Sequence, residues 1–136
     1  MKFSARLLGI LCLVLLVGTS LFPQKPSDMA GTWLGAATLD TESAANELTL
    51  ILEIKEGKLI GAMSDQYGTM TQTPISDIVL EQDLLSFSVA AAGPGGGPIT
   101  LKFKMKVSGS TMKGTLEIPE MSAKGTWEAR KLNIGS

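Results

Sequence analysis

The sequence predicts an all-β protein, an antiparallel up-and-down barrel of about eight strands that follows an N-terminal signal peptide. The triplet Gly31-Thr32-Trp33 opens the predicted folded part and recurs near its end as Gly125-Thr126-Trp127. Between the triplets, apolar and polar residues alternate with a period of two, which is typical of half-buried strands. No segment of useful length has helical periodicity. A first and a last strand of similar sequence can pair and close a barrel.

The N-terminal segment has the features of a secretory signal peptide. Lys2 and Arg6 precede an apolar run over residues 7–17, which is too short for the roughly 20 residues that cross a bilayer. Small residues at 18–20 suit cleavage after Ser20. We therefore predict a signal peptide over residues 1–20 and a secreted or periplasmic protein. The alternative is an uncleaved N-terminal anchor.

The remaining chain is predicted to be one domain, with a linker over residues 21–29 and a barrel over residues 30–134. The whole chain has 12 basic and 13 acidic residues, and removal of Lys2 and Arg6 leaves 10 − 13 = −3. This mildly acidic balance argues against a nucleic-acid partner. Cys12 is the single cysteine and lies in the predicted signal peptide, so we expect no disulfide after cleavage. Because the apolar run is removed with the signal peptide, we also expect no membrane span after cleavage.

Each predicted strand is an alternating stretch bounded by turn residues. The clearest is the sixth, in which five apolar residues alternate with Thr100, Lys102, Lys104 and Lys106. Glycine inside a strand marks a bend or a close approach of backbones, as at Gly61. In chain order, the predicted strands are 32–39, 47–55, 59–64, 75–80, 84–90, 99–107, 112–118 and 123–131.

The inward faces of these strands define the candidate ligand site inside the barrel. Eight strands enclose either packed side chains or one small ligand. Small residues at Gly35, Ala37, Gly61 and Gly114 either open a cavity or relieve crowding. The predicted inward residues are Trp33, Leu48, Leu50, Leu52, Ile54, Leu59, Met63, Phe87, Val89, Leu101, Phe103, Met105, Leu116 and Trp127; among these we assign Trp33, Phe87, Phe103, Met105 and Trp127 to ligand binding.

The Gly-x-Trp of the first strand together with Arg130 in the last strand resembles the lipocalin and calycin barrels. In those barrels a tryptophan at the base packs beneath a basic side chain from the closing end. The resemblance implies structural roles for Gly31, Trp33 and Arg130, with Arg130 stacked over the Trp33 ring.

A second resemblance covers most of the predicted mature chain. AGTWLGA (30–36), LTLILEI (48–54), the stretch 63–79, LLSFSV (84–89), MKGTLEI and KGTWEARK are similar to the small β domain that precedes the catalytic domain in some secreted bacterial α/β-hydrolases. No Gly-x-Ser-x-Gly motif is present. The resemblance therefore implies the barrel, and not the hydrolase activity.

The composition removes the common catalytic and metal-binding chemistries. The chain has no histidine, which excludes Ser-His-Asp triads and histidine-ligated zinc. We predict no enzyme activity, no cofactor and no metal. The alternative is a hydrolase that uses only carboxylates, for which the candidates are Asp65, Asp77, Glu117 and Glu120.

Two surface features offer binding groups. Residues 64–74 form a polar connection with Tyr67 and Gln72, whose amphipathic and amide side chains suit a ligand or partner at the barrel rim. The alternative is an ordered loop that caps the core. The lysine stripe 102/104/106 either attracts an acidic partner or keeps the outer face of the barrel soluble.

These observations predict a non-catalytic exported binding module. Its ligand is either a small apolar molecule in the barrel or an exported protein partner. The alternatives are the carboxylate-only hydrolase and a structural envelope protein.

Overall fold

The computed structural model describes residues 24–132, and these form a closed eight-stranded barrel in which each strand pairs with its neighbours in sequence. The predicted signal peptide lies outside the described residues, as do residues 133 and 134 of the predicted barrel. The strands are β1 Gly31–Leu39, β2 Asn46–Lys55, β3 Lys58–Asp65, β4 Thr73–Glu81, β5 Leu84–Ala92, β6 Pro98–Ser108, β7 Thr111–Ile118 and β8 Ala123–Lys131. The all-β, up-and-down prediction is confirmed.

The barrel closes by antiparallel pairing of β1 with β8 over seven residue pairs, from Trp33 opposite Lys131 to Leu39 opposite Gly125. The two Gly-Thr-Trp triplets do not face each other across this pairing. Trp127 lies opposite Ala37, so the two tryptophans occupy different levels of the barrel. Each large indole ring therefore fills its own part of the interior.

Alternation of side chains along each strand places an apolar set inside the barrel. Among the described residues, none that is buried is polar or charged. The core is closely filled at its middle, where the Phe87 and Phe103 rings stack with centroids 4.7 Å apart and Trp127 meets Phe103 edge-on at 5.5 Å. Ile54 differs from the prediction, because it lies near the end of β2 and is 39% exposed.

Gly114 lets the backbone of β7 approach the backbone of β6 closely. It lies in register between Met105 on β6 and Trp127 on β8. A Cβ atom at this position would collide with the Lys104 carbonyl oxygen and the Met105 Cα. The glycine thus relieves crowding between backbones, which is the second of the two roles that the sequence left open.

One end of the barrel is closed by a short helix, α1 Pro26–Met29, in the range that was predicted to be a linker. Met29 is fully buried beneath the barrel. The Trp33 Nε1 donates a hydrogen bond of 2.9 Å to the Met29 carbonyl oxygen, and the backbone N–H of Gln24 donates to Gln82 O at 2.8 Å. We call this end the base.

The pairing of β3 with β4 is the shortest contact in the barrel, with only Ala62 opposite Pro74 and Met63 opposite Thr73. Further along β4, the register with β5 shifts between Ser76 and Val79, and Asp77 in this bulge has a φ of 52°. A bulge bends a strand and increases its twist. The barrel wall is therefore least continuous between β3 and β4.

Candidate ligand-binding mouth of the barrel

The end opposite the base contains a cavity of about 450 Å³ that we call the mouth. Strands β1, β3, β5 and β7 end here, and β2, β6 and β8 begin here, so the up-and-down topology brings their terminal inward residues together. The wall of the mouth is mostly apolar. It includes Ala37, Leu39, Leu48, Met70, Ala91, Ile99, Leu101, Leu116, Ile118 and Met121.

The rim of the mouth is polar and acidic. Glu42 and Asn46 lie on it at the β1–β2 side, and Asp65, Tyr67 and Thr69 lie on it at the end of β3. Tyr67 is 66% exposed, so its phenol ring stands at the edge of the opening and does not plug it. The mouth thus combines an apolar wall with hydrogen-bonding and negatively charged groups at its entrance.

Asp65 fastens the loop that follows β3. Its carboxylate accepts hydrogen bonds from the Thr69 hydroxyl and from the backbone N–H of Met70, the second at 3.0 Å. Partial burial raises the pKa of Asp65, but the hydrogen bonds from Thr69, Met70 and Gly68 outweigh this effect and hold the pKa below its ordinary value. The loop is therefore fixed by a carboxylate in its ionised form.

This fastening inserts Met70 into the barrel end, where its side chain is only 3% exposed. Two further hydrogen bonds hold the loop: Glu47 N donates to Gln66 Oε1 at 2.8 Å, and Gln72 N donates to Ser64 Oγ at 2.8 Å. Met70 forms one wall of the mouth, and its flexible thioether side chain can adapt to the shape of a ligand.

Gln72 does not line the mouth, although the sequence suggested it as a ligand contact together with Tyr67. Its backbone has a φ of 46°, and its side chain is exposed. The structure places this residue in the turn that returns the chain to β4. Of the two rim-loop candidates, only Tyr67 stands at the cavity.

The predicted interior site residues form the packed floor below the mouth. Phe87 and Phe103 are 2% and 1% exposed, Met105 and Trp127 are fully buried, and their side chains occupy the middle of the barrel. The Trp127 Nε1 has no hydrogen-bond partner among the described residues. None of these four side chains lines the mouth, and the free space lies nearer the ends of the strands.

Trp33 lies at the base, and the cation beside its ring is Lys131 and not Arg130. Inward and outward residues alternate along β8, so Arg130 is exposed on the outer face opposite Leu34. The Lys131 Nζ lies 5.7 Å from the Trp33 ring centroid and donates a hydrogen bond of 2.8 Å to Asp28 O. The stacking that the resemblance implied for Arg130 is thus made by the next residue.

The four candidate carboxylates for hydrolysis lie in different places. Asp65 is on the mouth, Asp77 is in the β4 bulge, and Glu117 faces Lys102 on the outer wall. Glu120 accepts hydrogen bonds of 2.9 Å from the backbone N–H and the hydroxyl of Thr100, and these lower its pKa. Within residues 24–132, no group of three or more His, Cys, Asp or Glu side chains is arranged to hold a metal ion.

Sequence reasoning missed most of the residues that line the mouth. Ala91, Ile99, Ile118 and Met121 have no distinctive chemistry, and Met70 lies in a polar loop. The signal that could have found them is positional. In an up-and-down barrel, the last inward residue of each odd strand and the first of each even strand meet at the same end.

Comparison with known proteins supports the fold and goes no further. No protein-family model matches the chain, and no curated protein sequence matches it. A solved structure described as that of a redesigned β-barrel is similar to it with a TM-score of 0.51 and 11% sequence identity, over 82% of this chain and 97% of the other. Among the described residues, no helix is long and apolar enough to cross a membrane.

Proposed function

We propose that this chain is an exported, non-catalytic binding module that takes up a small apolar molecule in the mouth of its barrel. The observation that carries the proposal is the apolar cavity of about 450 Å³ above a packed aromatic floor. Cavities for small molecules commonly measure about 300–1,000 Å³ and are lined mainly by apolar side chains with a few polar groups. The lipocalin-like resemblance and the signal-peptide features of the sequence support the same proposal.

The size and chemistry of the mouth define the class of ligand. Leu48, Leu101 and Leu116 offer apolar contacts, whereas the groups at the entrance include the Glu42 and Asp65 carboxylates. Negatively charged ligands are repelled by such a rim, and neutral or cationic ones are not. The ligand that fits is a compact apolar molecule, neutral or with a cationic head that stays at the rim.

The experiment uses phenylnaphthylamine, a neutral fluorophore that brightens in apolar surroundings, and its anionic relative anilinonaphthalene sulfonate. We expect the neutral probe to bind the purified protein more tightly than the anionic probe at low salt. The difference should shrink as salt is added, because salt screens charges near the surface.

A matched pair of variants locates the site. Ala91→Phe introduces a large ring on the inward face of β5 at the mouth, and Ala90→Phe introduces the same ring one residue earlier on the exposed face. Ala91→Phe should reduce binding of the neutral probe at least fivefold, or about 1 kcal/mol, and Ala90→Phe should leave it near the wild-type value. Equal effects of the two variants, or no binding of the neutral probe, would count against the mouth as the site.

A further inference from the structure

A second concave region lies on the outside of the barrel toward the base, with a volume of about 790 Å³. It spans β6, β7, β8 and β1. Three basic side chains line it, Lys106, Lys113 and Arg130, together with the apolar residues Leu34 and Leu132. We call this region the basic groove.

The strand register explains why positive charge accumulates there. Lys106 on β6 lies directly opposite Lys113 on β7, with both side chains on the outer face. Like charges in such a cross-strand pair destabilise a sheet. On its other side Lys113 lies opposite Glu128 on β8, just as Lys102, nearer the mouth, lies opposite Glu117, so one of the three basic residues of the groove has an acidic cross-strand neighbour.

The acidic groups near the groove do not neutralise it. Three basic residues and one acidic residue, Glu128, line it, which gives 3 − 1 = +2. Asp83 approaches Lys106 with a Nζ–Oδ2 distance of 4.0 Å, and the Lys106 side chain is 68% exposed. Exposed pairs of this kind are weak and screened. The groove is thus locally positive on a protein that is negative overall, since the whole chain has a net charge of −1.

The apolar residues in the groove restrict what fits. Leu132 is 42% exposed, and Leu34 faces outward beside Arg130. A simple inorganic anion would leave these apolar side chains uncovered. Because the lining is recessed, a flat bilayer surface would meet the lysine tips but not the residues below them. An extended peptide with carboxylates and an apolar side chain can contact both.

Recognition in the groove would use side chains and not strand addition. The backbones of β7 and β8 are hydrogen-bonded to neighbours on both sides over their length, so the groove offers no free strand edge. A partner would therefore be recognised by side chains, the basic Lys106, Lys113 and Arg130 together with the apolar Leu34 and Leu132.

We infer that the basic groove docks an acidic segment of a partner protein, in which carboxylates contact Lys106, Lys113 and Arg130 and an apolar side chain covers Leu34 and Leu132. Charge complementarity favours an acidic occupant, and Leu34 with the exposed Leu132 favours one that also carries an apolar side chain, which a nucleic acid backbone does not. The inference is independent of the mouth, since the two regions share no lining residue.

The test measures fluorescence anisotropy of a short labelled peptide in which aspartates and glutamates surround one central leucine. We expect binding to the full protein that weakens with added salt and weakens again when the leucine is replaced by serine. Lys106→Gln combined with Lys113→Gln should reduce affinity about fivefold or more. The control pair, Lys102→Gln with Lys104→Gln, removes the same charge from the same face outside the groove and should change affinity less than about twofold.

Both double variants alter exposed side chains, and their thermal unfolding midpoints establish that they fold. No peptide binding, or an equal loss in the two double variants, would overturn the inference. Binding to phosphatidylglycerol vesicles that depends on Lys106 and Lys113, with no binding of the peptide, would assign the groove to a membrane surface and overturn it as well. Probe binding at the mouth is unaffected by either result.

Discussion

The Lys131 ammonium group lies 5.7 Å from the centre of the Trp33 ring and closes the base of the barrel. The same group donates a hydrogen bond to Asp28 O, and the Trp33 indole donates one to Met29 O. Helix α1 is therefore held against the barrel by one residue from the first strand and one from the last. Helix α1 and the buried Met29 close the base, and these hydrogen bonds to main-chain carbonyl groups hold them in place, whereas the mouth is left as the open end.

Replacement of Lys131 by methionine should lower the free energy of unfolding by about 1–2 kcal/mol, because it removes the cation–π contact and the hydrogen bond to Asp28. Arg130→Met is the control, because Arg130 is one residue away and faces outward. We expect it to change stability by less than about 0.5 kcal/mol in urea denaturation. Similar losses in the two variants would contradict the assignment of Lys131 to the base.

Replacing either tryptophan by phenylalanine removes the same side-chain volume, so the two variants can be compared directly. Trp33→Phe removes the hydrogen bond to Met29 O, whereas Trp127→Phe removes an indole N–H that has no partner among the described residues. An unpartnered buried donor costs about 1–3 kcal/mol, and a satisfied one stabilises by about 1 kcal/mol. Trp33→Phe should therefore be the more destabilising by at least about 1 kcal/mol in chemical denaturation. The reverse order would show that Trp127 has a partner or that Trp33 does not depend on its hydrogen bond.

A methyl group at position 114 should destabilise the barrel strongly. Gly114→Ala places a Cβ against the backbone of β6, where no flexible side chain can move aside. Overpacking of this kind costs about 1–3 kcal/mol or more. Gly95→Ala is the matched control, because a Cβ there meets nothing within 4 Å. The thermal unfolding midpoint should fall strongly for Gly114→Ala and hardly change for Gly95→Ala. An unchanged midpoint for Gly114→Ala would refute the close approach of the β7 and β6 backbones at this position.

The ionised form of Asp65 should make the loop at the mouth sensitive to acid. Because its pKa in the folded protein lies below the ordinary value of 3.8, its stabilising contribution is present above that pH and is lost as pH falls through the folded pKa. Asp65→Asn lacks this contribution. The difference in unfolding free energy between wild type and variant should be largest near neutral pH and shrink below about pH 4. Asp77→Asn, at an exposed carboxylate in the bulge, serves as the control, and a difference that grows on acidification would contradict the role of Asp65.

Most of the fold follows from the sequence, because period-two alternation determines both the strands and their inward faces. The eight predicted strands are present with ends shifted by a few residues, and Phe103 and Trp127 point inward as expected. Proline and charged residues at 21–29 gave no sign that Met29 would be buried. The sequence predicted Arg130 beside Trp33, whereas Lys131 lies there. The alternation along β8 could have predicted this, because Trp127 in the triplet Gly125-Thr126-Trp127 points inward and the inward positions then continue to 129 and 131.

The candidate site was less accessible to sequence reasoning for a physical reason. Phe87, Phe103 and Met105 are large and inward, but whether such residues line a space or fill it depends on how closely the strands cross. The alternation pattern does not reveal such close approaches of backbones, as at Gly114. The cavity lies beyond the aromatic layer, at the mouth, and is lined by small or aliphatic residues such as Ala91 and Ile99.

The most direct test of ligand binding at the mouth is an NMR titration. The ¹H–¹³C spectrum of the protein with ¹³C-labelled methionine methyl groups is recorded while phenylnaphthylamine is added. Met70 and Met121 line the mouth, Met29 lies at the base, and Met112 lines the basic groove. We expect the signals of Met70 and Met121 to shift in a saturable way while those of Met29 and Met112 stay in place. Shifts at Met112 or Met29 without shifts at Met70 and Met121, or no shifts at saturating probe, would contradict a ligand site in the mouth.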